Sequence, residues 1–246
     1  MWLVLCSATD PSGFWAYHGL RQLGVAPLQL VTAEALADAR YWEHRLNGGT
    51  HLKITLADGR VICSSQVRGA LNRLLGPAAE LSQRAATSDR EYVQAEMFAF
   101  YLSWLNGLSG VVVNRPMPLG LNGPWYHLSE WVYRASRAGL PAPPYRMSCD
   151  DEPDAGYASL APAGAPVVTS IVLRGQVFGA SLPSNLARGC EKLADDVATD
   201  LLGVSFYQDK YGQWTFAGAT PLPDLTQGGL PLLNKLAQTL TQGEVA

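Results

Sequence analysis

The stretch WLVLCSATDPSGFWAYHGLRQLGVAPLQLV, residues 2–31, decides the fold class. Trp2–Cys6 is an apolar run of strand length, too short for a helix. Ser7–Gly13 supplies turn residues. Phe14–Leu23 spaces its apolar residues as a short helix does, with Ser12 placed to cap it and Gly24 to stop it. Pro27–Val31 is strand-like again. A strand, a helix and a second strand on short links predict a parallel sheet with a helical crossover, and so an α/β fold.

Further along, Thr50–Leu56 alternates, with Leu52, Ile54 and Leu56 on one side. Asp58-Gly59 turns the chain and Val61–Ser64 returns it, as in an antiparallel hairpin. Gln66–Leu75 reads as a helix ended by Gly76-Pro77. The small and polar residues 78–88 read as a linker, which sets a domain boundary between residues 1–85 and 86–246. Asp89–Leu105 carries Val93, Met97, Phe100, Tyr101 and Trp104 at helical spacing, with Ser88 or Asp89 as cap. Val111–Val113 is a buried-type strand, and Trp125–Ala138 a helix closed by Gly139. Pro141–Met147 is extended and Cys149–Pro166 irregular. Two hairpins follow: Val167–Leu173 with Gln176–Ser181, and Val204–Tyr207 with Gln213–Ala217. Between them Asn185–Leu202 reads as a helix with the stripe Leu186, Cys190, Leu193, Val197 and Leu201. Leu230–Leu240 is a closing helix. The expected architecture is a small N-terminal α/β domain followed by an α+β domain built on hairpins.

Composition narrows the function classes. At 246 residues and 48% apolar the chain can bury a sizeable core. A net charge of −3 without Lys/Arg clusters speaks against nucleic acid. No apolar run approaches the roughly 18 residues of a membrane span. The N-terminus lacks a basic n-region and reads as a first strand, so a cytoplasmic location is expected. Cys6, Cys63, Cys149 and Cys190 are too widely spaced for a zinc site or a disulfide framework.

Common catalytic motifs are absent. There is no G-x-x-x-x-G-K-[ST] loop, no G-x-G-x-x-G and no G-x-S-x-G. Asn47-Gly48-Gly49-Thr50 reads as a turn. His18, His44, His51 and His127 lie in unrelated segments. The acidic run Asp150-Asp151-Glu152 with Asp154 reads as a solvated loop, and Asp196 with Asp200 as one solvated helix face. Residues 122–127, NGPWYH, place two aromatics before a helix N-terminus, where Trp125 or Tyr126 could stack on a flat ligand.

The order of motifs carries a resemblance. In VVVNRPMPLGLNGPWYHLSEWVYRASRAGLPAPPYRMS, residues 111–148, Asn114 and Pro116 end a strand. Ala135 and Gly139-Leu140 follow on a helix, and Pro143 or Pro144 leads toward Ser148. VVTSIVLRGQVFGASLP and CEKLADDVATDLLGVSFYQDKYGQWTFAGATPLPDL come after it. This order resembles RimK-like ATP-grasp ligases, and the first third is similar to peptide-modifying members. In that family an Asp on the first late strand and the Glu and Asn of E-x-N on the second hold catalytic magnesium. The matching positions are Ser205, Gly218 and Thr220. Where the family has a phosphate-contacting Lys, the chain reads Tyr126-His127-Leu128. Only residues 149–166 fill the gap in which the family places a nucleotide lid.

The resemblance thus implies an ATP-grasp-like domain lacking most of the nucleotide-lid subdomain. The expected function is that of a catalytically inactive binding or scaffolding subunit, with no cofactor and with a protein or peptide partner. Expected contact residues are Arg68, Arg73, Asn114, Arg115, Trp125, Tyr126 and His127. Three alternatives stand beside it. One is an active carboxylate–amine ligase with an altered nucleotide site. Another is a metal-free enzyme using His127 with Cys149 or Asp150. The third is a structural dimer module, and a homo-oligomer is a further possible assembly.

Overall fold

The computed structural model describes residues 1–46, 51–145 and 160–242. In chain order the first elements are β1 (Trp2–Cys6), α1 (Pro11–Gln22), β2 (Leu28–Thr32) and α2 (Ala33–Ala37). Next come β3 (Tyr41–Arg45), β4 (His51–Thr55), β5 (Val61–Cys63), β6 (Gly69–Asn72), α3 (Ala79–Gln83), α4 (Arg90–Asn106) and β7 (Val111–Val113). The remainder is α5 (Leu128–Arg137), β8 (Val167–Leu173), β9 (Gln176–Gly179), α6 (Ser184–Asp196), β10 (Leu201–Gln208), β11 (Trp214–Thr220) and α7 (Gly229–Thr241). Two compact units result: Met1–Gly123 with the chain from Leu233 onward, and Pro124–Leu232. The expected boundary at 85/86 lies within the first unit.

The first unit holds a parallel sheet in the order β2-β1-β6-β7. As the opening stretch predicts, β1 and β2 pair in parallel across α1. All five residues of β1 are buried, as expected of a strand with neighbours on both edges. A second sheet, β3-β4-β5, is antiparallel and turns Leu52, Ile54 and Ile62 into the same core as Tyr101 and Trp104 of α4.

The helix expected at 66–75 is instead β6, between β1 and β7. Val67, Leu71, Leu74 and Leu75 fit a helical period, but a short apolar run is ambiguous and nonlocal pairing decides it. Gly69–Asn72 are all buried. A side chain on the neighbouring Gly110 would overlap the Arg68 carbonyl, so the chain passes closer there than any other residue type allows. Residues 78–88 are not a free linker: α3 forms there, Leu81 packs on the core, and Arg84 reaches the Ala37 carbonyl and pairs with Asp38. Ser12 does not cap α1; the helix begins at Pro11 with Asp10 in the N-cap position, because proline suits the first helical turn.

The second unit is an antiparallel sheet in the order β11-β10-β8-β9, with α5 and α6 packed on one face. Arg174 (φ 46°) and Gly175 (φ 71°) form the two-residue turn of the β8–β9 hairpin, both left-handed as its twist requires. The helix expected to reach Leu202 ends at Asp196, because the chain turns at Ala198 (φ 50°) and Leu201-Leu202 join β10. Asp196 and Asp200 therefore do not share a helix face; they pair with Arg134 and Arg174 respectively. The segments containing Asn47–Thr50, Ser148, Cys149 and Asp150–Asp154, and most of the short segment read as a missing lid, lie outside the described residues. No helix among the described residues is long and apolar enough to cross a membrane.

Candidate functional site

Leu202, Val204 and Phe206 of β10 point into the core beneath α5 and α6. Side chains alternate along a strand, so Gly203, Ser205 and Tyr207 share the opposite face. Register extends that face sideways. Ser205 stands opposite Gly218 on β11 and Thr169 on β8, and Gly203 opposite Thr220 and Ile171. The three positions that the resemblance aligns with magnesium ligands are thus brought onto one face of two adjacent strands. A β-bulge between Ser205 and Phe206 marks the place.

The chemistry on that face is neutral. Ser205 Oγ and Thr169 Oγ1 share a hydrogen bond of 2.9 Å, and Thr220 Oγ1 accepts the Leu222 N–H at 3.1 Å. The four strands, VVTSIVL, QVFG, LLGVSFYQ and WTFAGAT, contain no ionisable acid or base apart from tyrosine. Magnesium prefers carboxylate and phosphate oxygens. Two hydroxyls engaged in local hydrogen bonds and a glycine do not fit a metal-bridged nucleotide. Among the described residues no group of three or more His, Cys, Asp or Glu could hold a metal ion.

The seven expected contact residues fall in both units: Arg68, Arg73, Asn114 and Arg115 in the first, and Trp125, Tyr126 and His127 in the second. Arg68 precedes β6 and Arg73 follows it, so the two cations stand at opposite ends of one strand. The Arg68 guanidinium lies 5.5 Å from the Trp2 ring centre. Arg73 donates to both carboxylate oxygens of Asp10, at 2.6 and 3.0 Å, and is almost fully buried. Beside it, Asn72 Nδ2 donates to the Asn114 and Leu121 carbonyls at 2.9 and 2.6 Å, which ties β6 to the end of β7. Asn114 takes a left-handed turn there (φ 59°). Arg115 donates to the Leu108 and Gly110 carbonyls at 3.1 and 2.7 Å, just beyond α4.

In the second unit, the Arg134 guanidinium lies 4.5 Å from the Tyr126 ring centre, and that ring meets Trp131 edge-on. His127 is the N-cap of α5, its Nδ1 accepting the Ser129 N–H at 3.3 Å. Trp125 is 43% exposed. Burial pushes the Cys6 and Cys190 thiols up to about 12, with Asp10 adding to the effect at Cys6, so neither supplies a thiolate nucleophile. The His127–Cys149 and His127–Asp150 pairings lie outside the described residues. The sequence alone does not point to Asp10, Asn72 or Thr169. Asp10-Pro11 signals a helix start but not an arginine partner, and the helical reading of 66–75 hides Asn72.

No family model and no curated protein matches the chain. Solved structures do. The macrocyclase MdnB from Microcystis aeruginosa MRC aligns over 98% of this chain and 99% of its own, with TM-score 0.66 and 14% identity. The macrocyclase MdnC from the same organism, bound with precursor peptide MdnA, aligns over 98% and 100%, with TM-score 0.69 and 11% identity. A Chryseobacterium gregarium RiPP-associated ATP-grasp ligase, in complex with ADP and a leader and core peptide, aligns over 98% and 95%, with TM-score 0.67 and 7% identity. At such identities the likeness is one of fold, and it covers nearly the whole of each chain. The mixed parallel and antiparallel architecture described above is therefore the ATP-grasp-like fold found in peptide-modifying ligases.

Proposed function

We propose that this chain is an ATP-grasp-like pseudoenzyme, a RimK-like relative that binds a peptide or protein partner in the cytoplasm without carrying out phosphoryl transfer. One observation carries the proposal: Ser205, Gly218 and Thr220 occupy a single face of a sheet whose four strands hold no carboxylate. Phosphoryl transfer depends on positioned cations, and neutral hydroxyls cannot neutralise the charge of the phosphates. A peptide partner is supported by MdnC and the Chryseobacterium ligase, both solved with peptides.

The test is the melting temperature with and without millimolar Mg-ATP and its non-hydrolysable analogue, since a ligand that binds only the native state raises stability. No shift is expected. A magnesium-dependent rise would overturn the proposal in favour of an active carboxylate–amine ligase with an altered nucleotide site. That second reading draws on the alignment with nearly the full length of the macrocyclases MdnB and MdnC. Light scattering on the purified chain reads directly whether it forms a homo-oligomer.

A further inference from the structure

The antiparallel sheet of the first unit buries only one of its faces. Trp42 and His44 of β3 stand opposite Ile54 and Leu52 of β4, and Ile62 of β5 opposite Ile54, all on the core side. The intervening residues therefore share the other face. Across it, Glu43, Lys53 and Cys63 form one row over three strands, and Arg45 and His51 stand opposite one another in the next. This face floors a cavity of about 550 Å³, which Ser65 also lines.

The charges here are unevenly matched. Glu43, the one carboxylate, is paired with Arg45, whose side chain is still 68% exposed. The side chains of Lys53 and His51 are exposed and make no hydrogen bond or ion pair among the described residues, their strand pairing being through the backbone. They occupy positions two apart on β4, so their side chains leave the same face about 7 Å from one another. An extended chain with acidic residues at alternate positions repeats that spacing.

We propose that the outer face of β3-β4-β5 docks an acidic peptide segment in extended conformation, with alternate carboxylates meeting Lys53 and His51 and a third within reach of Arg45. Charge complementarity and strand spacing carry the proposal, which is independent of whether the second unit binds nucleotide. Its failure would leave the nucleotide test untouched, and the reverse also holds.

Cys63 is a built-in reporter. It lines the cavity and is partly exposed, whereas Cys6 and Cys190 are buried. With Cys149→Ser introduced, maleimide labelling of Cys63 is followed by mass spectrometry. The probe is a hexapeptide alternating glutamate and serine, and its lysine–serine counterpart is the control. Protection is the ratio of rates with and without peptide, so any change that a substitution makes in the thiol itself cancels.

The acidic peptide should slow labelling several-fold, and about 0.5 M salt should abolish the effect by screening. Lys53→Glu should weaken the peptide about tenfold, as expected when one exposed attraction becomes a repulsion. Lys53→Arg should retain binding. Since Lys53 is exposed, an unchanged melting temperature confirms that the variants fold, and fluorescence anisotropy of the labelled peptide gives a second readout. Absence of protection, equal protection by the lysine peptide, or protection unchanged in Lys53→Glu would overturn the proposal. Equal binding of a peptide with its glutamates in one block would overturn the alternating register.

Discussion

The two larger sheets treat polar groups in opposite ways. At the carboxyl end of the parallel sheet, charges are held by specific partners: the buried Arg73 meets Asp10 through two hydrogen bonds, and the partly exposed Glu34 accepts the Ala8 N–H at 2.8 Å and the Ser7 hydroxyl at 3.0 Å. The corresponding polar groups of the antiparallel sheet are neutral hydroxyls, Ser205 with Thr169 and Thr220 with its own turn. The first arrangement specifies where chain crossings go, because a buried charge tolerates few alternative partners. The second costs little to keep. The difference teaches that this fold retains buried charge where it organises the backbone. It has none on the face that carries Ser205, Gly218 and Thr220.

The sharpest way to break the comparison is to remove one partner of the buried pair. Arg73→Met should cost about 3–5 kcal/mol in urea denaturation, because it strands the Asp10 carboxylate. Asp10→Asn combined with Arg73→Met should cost less than the sum of the singles, and strict additivity would mean the pair is not coupled.

Glu34→Gln should cost about 1 kcal/mol near neutrality, modest because the site is partly solvated. Burial pushes the Glu34 carboxyl up, but the hydrogen bonds from its own backbone, Ala8 and Ser7 outweigh it and hold it below the ordinary 4.5. Its contribution is therefore complete above about pH 4.5 and lost as pH falls through the lowered folded-state value. The variant's acid limb should be flatter than the wild type's.

On the neutral sheet, Ser205→Ala should cost about 1 kcal/mol or less, the net worth of an uncharged hydrogen bond. A loss as large as that of Arg73→Met would erase the contrast between the sheets. The smallest effect should come from Asp196→Ala, about 0.5 kcal/mol, since its Arg134 partner also holds Glu130 and both sites are partly exposed. Chemical denaturation at two salt concentrations would show the residual salt dependence.

Local signals in the sequence settle a good part of the fold. The opening strand–helix–strand, the β4–β5, β8–β9 and β10–β11 hairpins, α4 and α7 all follow from periodicity and turn residues, which act between near neighbours along the chain. The alternation along β10 and β11 is what places Ser205, Gly218 and Thr220 on one face once the register is known. Only the tertiary structure decides the rest. Gly69–Asn72 is a strand because β1 and β7 flank it, Tyr41–Arg45 a strand because β4 accepts its charged, uneven sequence as an edge, and residues 78–88 an ordered segment because Leu81 and Arg84 find partners. Arg73, read from the chain as a candidate partner contact, pairs with Asp10, 63 positions away. Such pairings depend on what folding brings alongside, a nonlocal quantity that no window of sequence contains.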